Sequence, residues 1–425
     1  MTNQSRGLVV PFIAVTTLFF AWGFITQMID PLIASVKTVF SLSNTESMLT
    51  QFAYFMAYGV VSLPAAALVA RAGYGKSIVF ALVAMIVGCL VIPLATSLGT
   101  YELVLVALFI IASGVTVLQV AANPLVAGLG PANWSHLRLL FSQAFNSVGT
   151  VIAPYIGSSI MLSGGVFAAQ DGAAVDAARR TESLRSIDTA FFVVVGLIVL
   201  LVVLIVASRK RIEAAAPQLA QSHETSILPA LRSRWAVFGA LAIFLYVGSE
   251  VTIGSLLTNF LHQPDVLNVN LERAGKLVSF YWMGAMIGRF VGSVLLLRLP
   301  AARMLTLFTF VAAALCLTVT QSGGAVAAYA AIAVGLFNSI MFPVIFSLTL
   351  ERSTASKAAT SGLLCMAIVG GAILPLLGGV ISDASNRSMA FFVPMLGYIG
   401  LFVFAFAAGR VQVTAADRPA PGLAH

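Results

Sequence analysis

Long apolar runs follow one another along almost the whole chain, separated by short polar segments. A run of about 20 apolar residues is the length that crosses a bilayer as an α-helix. Twelve spans can be drawn, at 9–36, 46–70, 77–97, 102–128, 138–163, 187–208, 235–261, 272–297, 304–321, 326–350, 358–383 and 389–409. The runs are continuous, which argues against the alternating pattern of a membrane β-barrel. The predicted class is an all-α membrane protein with 12 transmembrane helices.

Composition agrees. Of 425 residues, 60% are hydrophobic and only 9% are charged, against about 25% charged in a soluble domain. No stretch is polar enough for a separate soluble domain. The net charge of +8 does not point to nucleic acid, because the basic residues sit at the ends of apolar runs, where orientation signals belong. With both termini cytoplasmic, 15 Lys and Arg fall in inside segments and 7 in outside segments, with Arg289 left in a span. This bias predicts that orientation. The longest inside segment, 209–234, lies midway and reads as a linker between halves 1–208 and 235–425. The longest outside segment, 164–186, is polar and alanine-rich and is expected to form a short surface helix. Met1 to Gly7 is polar and leads straight into a long span, so no signal peptide is expected.

The halves resemble each other. Val148-Gly149-Thr150-Val151-Ile152-Ala153-Pro154-Tyr155-Ile156-Gly157 matches Val369-Gly370-Gly371-Ala372-Ile373-Leu374-Pro375-Leu376-Leu377-Gly378 at an offset of 369 − 148 = 221. Asn123-Pro124 and Phe342-Pro343 match at 343 − 124 = 219. A repeated six-helix half is a transporter architecture, with the substrate site near midplane between the halves. An offset of 220 carries Asp30 onto Glu250, and 219 carries Gln119 onto Asn338. Two intramembrane carboxylates and two amides are therefore expected at matching places.

A charge at membrane depth costs at least ~2.5–3.5 kcal/mol and usually faces a bundle interior or a water path. Asp30, inside the first span, makes ion or substrate handling the first hypothesis; the alternative is a structural carboxylate paired with a neighbouring helix. Other polar side chains inside the spans are Gln27, Gln51, Gln119, Asn123, Gln143, Asn146, Glu250, Asn259, Tyr281, Trp282 and Asn338. Gln27 lies three residues before Asp30, on the same helix face. Amides and carboxylates match hydroxyls that both donate and accept, and aromatic rings stack on C–H faces. The set suits a neutral polyhydroxylated ligand; a cation remains open, and an anion would need more buried positive charge. For each amide the alternative is an interhelical hydrogen bond of about 0.6–2 kcal/mol. The three cysteines lie in apolar runs, and the four histidines are scattered. No nucleophile–base pair or metal spacing emerges, so neither an enzyme nor a cofactor is expected.

Gln119-Val120-Ala121-Ala122-Asn123-Pro124, followed by Gln143-Ala144-Phe145-Asn146-Ser147-Val148-Gly149, resembles the motifs of the fucose–galactose–hexose transporter family of the major facilitator superfamily. Tyr246 to Ser255, Gly284 to Phe290 and Leu364 to Ala372 resemble its glucose/galactose branch more than its fucose branch. The resemblance covers essentially the whole chain. It implies a major facilitator fold of two pseudo-symmetric six-helix halves and proton-coupled sugar uptake across a bacterial inner membrane. It also implies that Asp30 is the titrating carboxylate and that Asn146 helps bind sugar. One departure is visible: the family pattern has Glu where this chain has Gln119, and an amide cannot titrate. Coupling then rests on Asp30 alone, or Glu250 contributes, or transport is uncoupled or sodium-coupled. Glucose or galactose is the expected substrate, with N-acetylglucosamine, fucose, mannose and fructose as alternatives. The expected partners are a monosaccharide, protons and lipid, with the chain a monomer. A sensor that binds sugar without moving it is the reading from another class.

Overall fold

A computed structural model describes residues 3–129, 135–167, 177–216, 228–296, 298–355 and 357–411. Eleven of its helices are long and apolar enough to cross a membrane. We number the crossings α1 (Val10–Val39), α2 (Asn44–Ala72), α3 (Tyr74–Leu98), α4 (Tyr101–Gly128), α5 (Ser135–Met161), α6 (Ala177–Ala215), α7 (Arg234–Leu261), α8 (Leu271–Leu296), α9 (Ala301–Gln321), α10 (Gly324–Arg352), α11 (Ala359–Ala384) and α12 (Met389–Arg410). The twelfth crossing is α5, a 27-residue helix packed between α1 and α8. Helices are the form that satisfies backbone groups internally within lipid. We call the end where α1 begins and α12 finishes the terminal end, and the other the distal end.

Two of the crossings are broken where proline removes a donor. Helix α1 runs to Gln27 and resumes at Ile29, because Pro31 cannot bond back to the Gln27 carbonyl. Helix α10 breaks between Asn338 and Met341, four residues or fewer before Pro343. Helix α6 is longer than its apolar run. It starts at Ala177 and ends at Ala215, 39 residues in all, because the Ala-, Arg- and Glu-rich flanks favour helix and continue it into water. The predicted surface helix in 164–186 is thus partly the start of α6, preceded by a single 3₁₀ turn at Gly165–Phe167; 168–176 lie outside the described residues, as do 217–227 of the predicted linker.

The packing repeats after six helices. Helix α1 packs on α5 and α6, α2 on α4, and α3 on α4 and α6. In the same way α7 packs on α11 and α12, α8 on α10, and α9 on α10 and α12. The chain therefore forms two pseudo-symmetric six-helix halves. They meet along two seams, α2 on α11 and α5 on α8, and where the distal segment of α1 touches α7. The exposed apolar side chains include Phe80, Val87 and Leu94 of α3, Leu200 and Val203 of α6, Leu307 and Phe310 of α9, and Leu396 and Val403 of α12. An apolar exterior of this kind belongs to a hydrocarbon solvent.

Small residues hold the halves tight, since transmembrane helices gain from close packing rather than from a hydrophobic drive. A Cβ on Gly149 would stand 2.4 Å from the Phe20 carbonyl oxygen, and one on Gly370 would stand 2.0 Å from that of Phe244. Both contacts are with backbone, which cannot swing aside. Gly370→Ala is expected to destabilise the second half by about 1–3 kcal/mol, the usual cost of overpacking. Its melting temperature in detergent should fall, and a wild-type value would refute the contact.

Candidate functional site

The amides of the two central helices are held the same way. On α4, Gln119 Nε2 donates to the Tyr58 hydroxyl of α2 at 2.7 Å. On α10, Asn338 Nδ2 donates to the Tyr281 hydroxyl of α8 at 2.7 Å. The expected correspondence of Gln119 and Asn338 therefore extends to their tyrosine partners. The two then diverge. The Asn338 Oδ1 accepts from Tyr398 of α12 at 2.7 Å, and its side chain is fully buried. Both ends of that amide are used inside the second half. The Tyr281 hydroxyl in turn donates a hydrogen bond to the Glu250 main-chain carbonyl at 3.2 Å. Asn338 and Tyr281 thus brace the wall behind Glu250. Gln119 is only partly buried.

The carboxylates do not sit at matching places. The Gly149–Phe20 and Gly370–Phe244 contacts are counterparts, which aligns α1 with α7 at 244 − 20 = 224. On that register Asp30 corresponds to Gly254, and Glu250 to Thr26. The expected equivalence at 220 is one helical turn out. The reason lies in chain length: Phe20 to Gly149 is 149 − 20 = 129 residues, but Phe244 to Gly370 is 370 − 244 = 126.

The two acids accordingly have different surroundings. Asp30 is buried, just past the break in α1. Its Oδ2 accepts the Trp282 indole N–H at 3.0 Å, a bond from α8 in the opposite half. Gly254 of α7 packs against both: a Cβ there would be 3.1 Å from the Trp282 ring and 3.6 Å from Asp30 Oδ2. Among the described residues, no Lys, Arg or His stands within ion-pair reach of Asp30. Close by in sequence, Gln51 Nε2 of α2 donates to Ser255 Oγ of α7 at 2.8 Å, again across the halves. Its Oε1 has no hydrogen-bond partner among the described residues. Glu250 is partly exposed. Its Oε1 accepts the Tyr246 hydroxyl at 2.8 Å, and Arg289 of α8 lies within electrostatic reach. The Arg289 Nη1 also donates across the halves to Ser147 Oγ of α5 at 2.7 Å.

The remaining candidates are placed as follows. Asn146, beside Ser147, donates from Nδ2 to the Phe19 carbonyl at 3.0 Å. Gln143 lies one turn earlier on α5 and is partly buried. The Asn123 Oδ1 is buried without a hydrogen-bond partner among the described residues. Gln27 closes the first segment of α1, one turn from Asp30. Asn259 is buried at the distal end of α7, where its carbonyl accepts from Arg387 at 3.2 Å. Sequence reasoning missed Tyr58, Tyr398 and Tyr246, and Thr26, whose hydroxyl pairs with that of Tyr54 at 2.9 Å. Aromatic residues within apolar runs carry no signal that separates a hydrogen-bonded tyrosine from one facing lipid.

Residues 12–364 match the Major Facilitator Superfamily. A glucose/galactose transporter of Brucella abortus (strain 2308) is 41% identical over 397 residues, covering 93% of this chain and 93% of its own. An L-fucose-proton symporter of Escherichia coli (strain K12) is 32% identical over 417 residues, covering 95% and 94%. Among solved structures, the fucose symporter FucP in its outward conformation superposes with a TM-score of 0.69 at 29% identity, covering 96% of this chain and all of that one. The chain belongs to the fucose–galactose–hexose branch of the major facilitator superfamily. A bacterial homolog of the lysosomal transporter Spinster, in an inward-facing and occupied conformation, shares the fold with a TM-score of 0.68 at 16% identity.

A major facilitator exposes its site to one side at a time by rocking its halves. In this one the distal segment of α1 packs on α7. At the distal end, Asp383 of α11 bonds to the start of α2. The halves are thus joined at the distal end, and the Asp30–Trp282 and Gln51–Ser255 bonds also cross between them.

Proposed function

We propose that this protein is a sugar–proton symporter that imports a hexose, glucose or galactose first, by alternating access across a bacterial inner membrane. The 41% identity to a glucose/galactose transporter over almost the full length of both chains supports the substrate class. The observation that carries the mechanism is the Asp30 carboxylate, bonded across the halves to Trp282, with no cation in ion-pair contact with it among the described residues. A carboxylate so placed can gain a proton without leaving a cation behind, and that change acts on the seam between the halves.

In this reading Asp30 carries the proton. Gln27, Gln119, Asn123, Gln143, Asn146, Glu250 and Trp282 offer acceptors, donors and a ring face to the sugar, with Gln51 at the distal margin. Tyr281 and Asn338 position Glu250, and Asn259 serves the distal closure. Halves 1–208 and 235–425 move about the 209–234 linker, and the chain works as a monomer. Both termini face the cytoplasm, as the Lys and Arg distribution supports, so the distal end faces outward. Counterflow of labelled sugars in proteoliposomes, with and without a pH gradient, tests the proposal. Accumulation of one hexose only when a gradient is imposed is expected; absence of counterflow for every monosaccharide would leave the sensor reading.

Gln119 stands where the family pattern has Glu. Gln119→Glu is expected to steepen the pH dependence of uptake, because it adds a second titratable group beside Tyr58. An unchanged pH profile would put position 119 outside the coupling path.

A further inference from the structure

The start of α2 is capped from the wrong half of the molecule. A helix leaves its first four N–H groups without intrahelical partners. Here Ser43 and Glu46 form a capping box, Ser43 Oγ taking the Glu46 N–H at 3.1 Å and Glu46 Oε2 taking the Ser43 N–H at 2.8 Å. The Ser43 carbonyl takes the Ser47 N–H at 3.1 Å. Two donors remain, the N–H groups of Asn44 and Thr45. Both go to Asp383 at the distal end of α11, each at 2.8 Å. The same carboxylate accepts Asn44 Nδ2 at 2.7 Å and Thr45 Oγ1 at 2.6 Å. The Asn44 Oδ1 is taken in turn by Lys37 and, at 3.5 Å, by Arg387. One turn before Asp383, Gly379 lets the backbones touch: a Cβ there would be 2.8 Å from Thr45 Cα.

The other seam lacks this arrangement. At the offset of 221, Gly379 corresponds to Ser158 and Asp383 to Leu162. Ser158 does pack on the counterpart helix, its Oγ 2.0 Å from a Cβ placed on Gly275, but the residue one turn on is Leu162, whose methyl lies 3.3 Å from that point. Among the described residues no carboxylate of α5 is bonded to the start of α8, where the Arg273 N–H goes instead to Asn270 Oδ1 at 2.8 Å.

We propose that Asp383 is a positioning residue for the transport step: it latches the distal ends of the halves on the α2–α11 seam alone, as the removable half of the α2 cap. Isolated ion pairs in water contribute little. This carboxylate instead meets main-chain donors already fixed by their helix, at the end where a negative charge is favoured. Opening returns the Asn44 and Thr45 amides to water at the membrane boundary, so the latch is reversible. The α5–α8 seam at the same level has the Ser158–Gly275 contact and the Lys276 ammonium over the Tyr155 ring at 5.3 Å, with no such carboxylate cap among the described residues, so the cap-type latch sits on one side of the distal mouth.

The inference rests on the alternating-access reading, but its test needs no sugar. Spin labels at Thr38→Cys at the distal end of α1 and Ser385→Cys just past α11, with Cys365→Ser to remove the exposed native thiol while Cys89 and Cys316 stay buried, report the distance between the halves at the distal mouth by pulsed electron resonance in nanodiscs. Asp383→Ala is expected to raise the ratio of distally open to closed molecules roughly tenfold, the scale of losing a helix cap. Asp383→Asn should fall between, Asp383→Glu should recover most of the closed population, and Ser158→Ala should leave it unchanged. Hydrogen exchange at Asn44 and Thr45 should quicken in step with the opening. An unshifted distance distribution in Asp383→Ala, or an equal shift in Ser158→Ala, would overturn the latch. Failure of sugar counterflow with the distance shift intact would count against the transport reading and not against the latch.

Discussion

Asp30→Asn should abolish accumulation of sugar driven by a proton gradient while leaving exchange of sugar across the membrane. The amide keeps the shape of the carboxylate and still accepts from the Trp282 indole, so the joined distal seam is retained. What it loses is the ability to be charged in one step and neutral in another. An imposed pH gradient then has no group on which to act, and concentrative uptake should fall to the equilibrium level set by the sugar gradient. Counterflow measures exchange separately from accumulation, so the two outcomes can be read on one preparation. Wild-type, gradient-driven accumulation in the variant would remove Asp30 from coupling. Trp282→Phe is the natural companion: it retains the ring but not the N–H, and separates loss of the bond from loss of the charge.

Glu250→Ala should weaken sugar binding by roughly 10- to 150-fold, the 1.5–3 kcal/mol range for a hydrogen bond to a charged group. Glu250→Gln should cost less, since an amide oxygen still accepts. The competing account makes Glu250 purely structural: its Oε1 holds Tyr246, and its main chain takes Tyr281. The backbone bond survives either substitution, and Glu250 is partly exposed while Asn338 behind it is fully buried. That arrangement suits a carboxylate braced from one side and offered to a ligand on the other. Calorimetry on purified variants decides between them. A structural role predicts a lower folded yield with an unchanged dissociation constant, whereas a ligand role predicts a weaker constant in well-folded protein.

Both experiments distinguish acids that the sequence had treated as counterparts. Their separation by one turn gives each its own neighbours: Trp282 across the seam for Asp30, and Tyr246 with Arg289 nearby for Glu250. Coupling and sugar holding can therefore sit in different residues, which leaves room for Gln119 to be an amide.

The apolar runs by themselves determined the twelve helices and the membrane class, because backbone in lipid must satisfy itself within each span, and the motifs repeated about 220 residues apart gave the two halves. Polar residues inside those runs were equally legible, since a carboxylate or amide at membrane depth is costly wherever it lies. The match of Gln119 with Asn338 followed from a repeated motif on the same helices and held to the level of their tyrosine partners. Tertiary structure alone decided how far each helix slides along its neighbour. Gly149 on Phe20 and Gly370 on Phe244 set that register by backbone contact, and no count of residues between motifs contains it. The same limit hid Asp383. Its position at the end of an apolar run reads as a solvated boundary, and only the approach of α11 to α2 turns it into the cap of a helix that begins 339 residues earlier.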